Sequence, residues 1–229
     1  MSEKDPMYYI LTAQDKKGAK WNENEFFNTG VHAAKRHYDI FKTYLNSTKR
    51  FLDIGCGIGR IAVPMLEYFD EVHGVDISPE MILKAKSLHK EKKRVSFHEV
   101  DGSNLNPFKD SYFDCVYSII CFQHIPENEV LFSYFSEVAR VLKNDGIFYF
   151  QLPTHIPFSY RFRIKLSKLL NASGLIKIIP FQHTLYYHVQ IFPRSIDIIE
   201  AELKKVKFEV IEITGKSTLN TFFICRKKQ

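Results

Sequence analysis

Residues 50–65 read RFLDIGCGIGRIAVPM: a short apolar run, an acidic residue, three glycines at alternate positions and the onset of a helical pattern. This stretch predicts a first strand, a tight turn and a helix start, one βα unit of a layered α/β domain. Gly55, Gly57 and Gly59 can take backbone angles closed to other residues and let main-chain N–H groups come close to a ligand. A helix leaving the turn would aim its unpaired N–H groups and positive dipole end into the same space, which suits a carboxylate or a phosphate.

The spacing narrows the ligand. A dinucleotide turn follows G-x-G-x-x-G, whereas this chain has D-x-G-x-G-x-G, with Arg60 where the third dinucleotide glycine would stand. Asp53, two residues before the first glycine, would set a like charge beside a pyrophosphate and suits a cationic or amino-bearing ligand better. The motif at Asp53, Gly55, Gly57 and Gly59 resembles the first motif of the class I S-adenosylmethionine-dependent methyltransferases, and the chain is similar to their small-molecule members of types 11 and 12. A second apolar run, 72–75, ends at Asp76, where an acid can hold both ribose hydroxyls of an adenosine. The resemblance gives Asp76 that role. It implies that Asp101, after the third strand, accepts from the adenine amino group while the backbone at Gly102 reaches a ring nitrogen; an Asp there is also a common turn former. The cofactor implied is S-adenosylmethionine, with S-adenosylhomocysteine as product. The expected contacts are Asp53, Gly55, Cys56, Gly57, Gly59, Arg60, Asp76, Ile77, Asp101, Gly102 and Ser118.

With 229 residues the chain has room for one well-buried domain, and its 45% hydrophobic and 25% charged content is ordinary for a globular protein. The longest apolar runs fall short of the ~20 residues that span a bilayer. The first residues, MSEKDPMYYI, lack the basic start and apolar stretch of a signal peptide. Cys56, Cys115, Cys121 and Cys225 show no C-x-x-C spacing, so free thiols in a reducing cytoplasm are expected. The nine histidines form no H-E-x-x-H or H-x-H cluster and demand no metal. The net charge is +6, and residues 152–193 contribute Arg161, Arg163, Lys165, Lys168 and Lys177 with no acid, a segment able to attract an anionic substrate, nucleic acid or acidic lipid.

Taken in order, Val31, Ala34, Tyr38, Phe41 and Leu45 recur at helical spacing and predict a helix over 31–45. Tyr8, Tyr9, Trp21, Phe26 and Phe27 before it either anchor that helix to the sheet or fold over the cofactor as a lid. Strands are expected at 72–75, 95–100, 113–120, 147–151, 208–214 and 221–226. Ser78-Pro79 caps the helix after the second strand, a further helix runs over 127–142, and a last one starts near Pro193. The run HKEKKR at 89–94 reads as a solvated helix end. The alternation predicts a doubly wound, mostly parallel seven-stranded Rossmann-like sheet. An antiparallel last strand matches the methyltransferase ending, which a nicotinamide-binding domain lacks. The single domain then divides into an N-terminal cap (1–49), a cofactor-binding core (50–151), a substrate-side insertion (152–193) and a C-terminal helix with two strands (194–229).

Methyl transfer from a sulfonium needs position, dehydration and, for a poorly acidic nucleophile, a base. His124, just past the fourth strand, is the candidate base, or else it orients the Pro126 turn. Gln123, Tyr186 and Tyr187 are candidate substrate contacts. Phe122-Gln123-His124-Ile125 lacks the (D/N)-P-P-(Y/F) motif of adenine and glutamine N-methylation, and no Pro-Cys or Thr-Cys pair supplies a cytosine C5 nucleophile. The reading is methyl transfer to an O or N nucleophile of a small, anionic or glycosidic metabolite. The alternatives are an RNA methyltransferase, a nucleotide-binding oxidoreductase and a non-catalytic cofactor-binding protein. The only Y-x-x-x-K, Tyr38 to Lys42, lies before the glycine turn, where an oxidoreductase would not place it. A small-molecule partner is expected in preference to nucleic acid. Residues 160–171 form either an ordinary surface helix or a basic amphipathic contact with lipid.

Overall fold

The computed structural model describes residue 7 and residues 20–156 and 191–229. The expectations for 1–19 and for the core of the insertion, including the face at 160–171, fall largely outside these residues.

Helix α1 spans Glu23–Phe41, eight residues earlier than periodicity alone predicts. Asn22 is its N-cap: its side-chain oxygen accepts from the backbone N–H of Asn24 at 2.9 Å and of Glu25 at 3.3 Å, and Glu23 and Glu25 complement the positive end. A 3₁₀ turn, Lys42–Tyr44, follows. The strands are β1 (Arg50–Ile54), β2 (Glu71–Asp76), β3 (Val95–Glu99), β4 (Phe113–Ser118), β5 (Leu142–Gln151), β6 (Phe208–Thr214) and β7 (Phe222–Lys227). The remaining helices are α2 (Pro79–Leu88), α3 (Asn128–Val141) and α4 (Ile196–Lys205). The sheet order is β3-β2-β1-β4-β5-β7-β6. β1 to β5 pair in parallel, and β7 enters antiparallel between β5 and β6.

Two elements differ from the sequence expectation. The segment after the glycine turn is a chain of turns ending in a 3₁₀ turn, Pro64–Glu67, because Pro64 has no N–H to return to Arg60. β5 begins at Leu142, and its pairing with β4 jumps from Phe113↔Leu142 to Cys115↔Ile147, so 143–146 bulge out around Asp145 with φ +62°.

Strand alternation divides the core into two layers. Leu52, Ile54, Val116, Phe148, Phe150 and Phe223 face α3 and α4. Phe51, Cys115, Tyr117, Ile147, Tyr149 and Ile224 face α1 and α2. Burial on both faces is why β4 reads as a near-continuous apolar run. Strand order reverses between β1 and β4, so a crevice opens beyond their carboxyl ends.

Candidate functional site

A cavity of about 930 Å³ fills that crevice. Its floor is the turn after β1. Gly55 and Cys56 donate their N–H groups to the Val75 carbonyl at 2.8 and 3.0 Å, locking the turn to the end of β2. Asp76 sits beside it: one carboxylate oxygen accepts from Gly57 N at 2.9 Å and the other from Ser78 N at 3.0 Å. Each oxygen keeps a lone pair, so the carboxylate is oriented and still able to accept from two neighbouring hydroxyls.

Asp53 is buried under the turn, 3% exposed, and loss of solvent pushes its carboxyl up to about 7 against the pull of Arg60. Burial in turn works against the Arg60 charge, and its Nε has no hydrogen-bond partner. Its Nη1 lies 3.5 Å from Thr29 Oγ1. A buried carboxyl and an under-satisfied guanidinium side by side suit a ligand with an ammonium and a carboxylate on one carbon. Cys56 is buried, with its thiol pushed well up by desolvation, so it contributes backbone and packing to the turn.

Ile77 is 65% exposed and borders the cavity, and a Cβ built on Gly102 would meet its Cγ2 at 3.4 Å. The two lie against each other on one side of the cavity. Asp101 does not border the cavity. Its carboxylate accepts from the Ser103 and Asn104 backbones and from the Ser103 hydroxyl and Asn104 amide, which is the geometry of a turn former. Ser118, fully buried at the end of β4, donates to the Ile54 carbonyl at 3.1 Å and likewise does not reach the cavity. Both side chains take hydrogen-bond partners within the fold.

His124 borders the cavity from a 3₁₀ turn, Phe122–His124, beyond β4. Gln123 beside it is buried, and its amide contacts His124 Nε2 at 3.1 Å and Gln151 at 3.3 Å. Its side chain is thus turned into the protein, away from the cavity. Tyr186 and Tyr187 lie outside the described residues.

The sequence reading missed one wall entirely. Thr29, His32, Ala33, Arg36 and His37 recur at i, i+3, i+4, i+7 and i+8 along α1 and line the cavity opposite the turn. These residues are polar or small, so the apolar spacing that predicts the helix does not mark them. His37 lies 3.1 Å from the Tyr149 hydroxyl, and burial, aided by Arg36 and Arg60, holds its imidazole down at about 4. The early aromatics anchor this wall: Phe26 packs on Ile58 and Met81, with Trp21 and Phe27 at its edges. Among the described residues no group of three or more metal-binding side chains converges, and no helix is long and apolar enough to cross a membrane.

Residues 52–150 match the family model described as "Methyltransferase domain". With the sheet order and the glycine turn, this makes residues 52–150 a class I S-adenosylmethionine-dependent methyltransferase domain. Phosphoethanolamine N-methyltransferase 2 of Caenorhabditis elegans is 32% identical over 143 residues, 55% of this chain and 32% of that protein. Norajmaline N-methyltransferase of Rauvolfia serpentina is 33% identical over 115 residues, 48% of this chain and 38% of that protein. The chain thus spans about a third of the length of these curated relatives. In fold, an S-adenosylmethionine-dependent methyltransferase from Clostridium acetobutylicum matches with a TM-score of 0.66 at 16% identity, over 98% of this chain and 100% of that one.

Proposed function

We propose that this protein transfers a methyl group from S-adenosylmethionine to a nitrogen or oxygen of a small anionic metabolite. The observation that carries the reading is Asp76, fixed by two backbone N–H groups beside the glycine turn with both oxygens still able to accept. In this reading Asp76 holds the ribose hydroxyls, Ile77 and Gly102 together border the adenine, and Asp53 and Arg60 meet the ammonium and carboxylate of the methionine end. The cofactor supplies the activated methyl group; the chain binds, orients and keeps out water. His124 stands at the acceptor end of the cavity. Arg36, which has no hydrogen bond or ion pair among the described residues, supplies a charge for an anionic acceptor, in keeping with a relative named for phosphoethanolamine. The basic run at 89–94 lends little to an RNA reading, because Arg94 is occupied by the carbonyls of Leu66, Phe69 and Asp70.

Calorimetry with S-adenosylmethionine, S-adenosylhomocysteine and NAD tests the reading. The first two should bind far more tightly than NAD. Asp76→Ala should weaken them by roughly 3 kcal/mol, from two charge-assisted hydrogen bonds of about 1.5–3 kcal/mol each less what water recovers. Preferential binding of NAD, or an unchanged affinity in the variant, overturns it.

A further inference from the structure

Gln151 ends β5 and is 1% exposed. Its Oε1 accepts from Ile120 N at 3.0 Å, and its Nε2 donates to the Leu219 carbonyl at 2.7 Å and to Gln123 Oε1 at 3.3 Å. Backbone partners of opposite kind grip the two ends of this amide, so it has one orientation: turned over, it would set oxygen against oxygen and N–H against N–H. That orientation dictates the next. Gln123 must present Oε1 to Gln151, which leaves its Nε2 facing His124 Nε2 at 3.1 Å. An amide nitrogen can only donate. The imidazole must therefore accept through Nε2 and carry its proton on Nδ1.

We propose that Gln151 and Gln123 form a buried amide relay that holds His124 as the neutral imidazole protonated on Nδ1, with its Nε2 lone pair already engaged. Gln151 and Gln123 are positioning residues in this arrangement, and His124 is withheld from service as a proton acceptor. The relay refines the methyltransferase reading, on which its catalytic meaning rests: a hydroxyl acceptor would need some other base. The backbone around the relay is fixed as well. His124 N donates to the Cys121 carbonyl and Phe192 N to the Gln123 carbonyl, at 3.0 and 2.9 Å. Ile120, whose N–H Gln151 grips, is a β-branched residue held at φ +59°, a conformation that persists only when its surroundings determine it. Among the described residues, the titratable and charged groups that line the cavity with His124 are His32, Arg36, His37, Asp53, Cys56, Arg60, Asp76, Tyr117, Cys121, Glu127 and Tyr134. Arg194 lies behind it, on the carbonyls of Ile125 and Pro126.

The test is the tautomer of His124, read by long-range ¹H–¹⁵N correlation on the full chain labelled at histidine, with and without S-adenosylhomocysteine. Nδ1–H is expected at pH 7 in both samples. Gln123→Glu keeps the shape and still accepts from Gln151, but offers a carboxylate to the imidazole. It should invert the tautomer to Nε2–H. Gln123→Leu should abolish the tautomer preference. An Nε2–H or doubly protonated ring at pH 7 in the wild type, or a tautomer indifferent to both substitutions, overturns the relay. The measurement on the empty chain needs no cofactor, so failure of the methyltransferase reading, seen as absence of S-adenosylhomocysteine binding, is separately visible.

Discussion

Gly55 is held at φ +80°, and a Cβ built on it would lie 2.6 Å from both Cβ and Sγ of Cys121. The close approach joins the turn after β1 to the end of β4, so the glycine serves packing as much as ligand access. Gly55→Ala should cost about 3 kcal/mol in urea unfolding, combining left-handed strain of ~1–2 kcal/mol with overpacking of ~1–3 kcal/mol. Adding Cys121→Gly should recover the overpacking part and leave the strain; no recovery in the double variant would show that the contact is not the cause. Asp53 makes a different kind of prediction. Its carboxyl is pushed up to about 7, so in the empty protein it becomes increasingly protonated as pH falls below 7, while a ligand ammonium favours the charged form. Affinity for S-adenosylmethionine should therefore rise between about pH 5 and 7, by up to tenfold per unit, and level off above. Asp53→Asn should bind more weakly and flatten the profile; a wild-type profile already flat would remove Asp53 from contact with the ammonium.

At the scale of elements, α1 shows how a helix face acquires a use that its sequence does not announce. Gly30 in its middle lets it ride on the Arg60 carbonyl: a Cβ there would come within 2.1 Å of that oxygen. Pro64 leaves the same carbonyl without its helical donor, so the irregular turn and the close helix share one cause. An exposed mid-helix Gly→Ala change ordinarily stabilises by about 1 kcal/mol. Gly30→Ala is expected to do the opposite, lowering the thermal midpoint and weakening S-adenosylmethionine binding together, because α1 must lift off the turn and carry Arg36 and His37 with it. A stabilised variant with normal binding would show that α1 is free to shift. The start of α1 is set by the Asn22 cap with Glu23 and Glu25, polar residues that apolar spacing over 31–45 does not register. Ser78-Pro79 was legible and caps α2 as read, its hydroxyl accepting from Met81 N at 3.3 Å.

For the whole molecule, the α1 wall meets the core layer beneath it at His37, which touches Tyr117, Tyr149 and Phe222. Its imidazole is held at about 4 against about 6.5 unfolded, chiefly by burial, and burial also lowers His73, His89 and His98. At these histidines the unfolded chain thus binds more protons than the folded one below pH 6.5, while Asp53, raised to about 7, does the reverse. The stability that neutral His37 allows is full above pH 6.5 and falls as pH drops toward 4, by about 3 kcal/mol from this residue alone. Because Asp53 works in the other direction, the His37 part is read from the difference between His37→Phe and wild type: urea midpoints measured from pH 7 to 4 should favour the variant increasingly as pH falls, and an unchanged acid slope in that variant would place the cause elsewhere. The sequence by itself determined the layered α/β sheet, the glycine turn and the acids at the ends of β1 and β2. Those features are local: strand alternation, glycine spacing and a carboxylate a fixed number of residues along one chain segment. Tertiary structure decided what surrounds them. It set Gln151 against Gln123, Cys121 against Gly55 and Arg36 across from Arg60, pairs separated by 24 to 66 residues along the chain. It also decided that Ser118, well placed by position, spends its hydroxyl on the Ile54 carbonyl. Contacts between distant segments depend on how helices seat on the sheet, and side-chain partners chosen there leave no periodic trace in a single sequence.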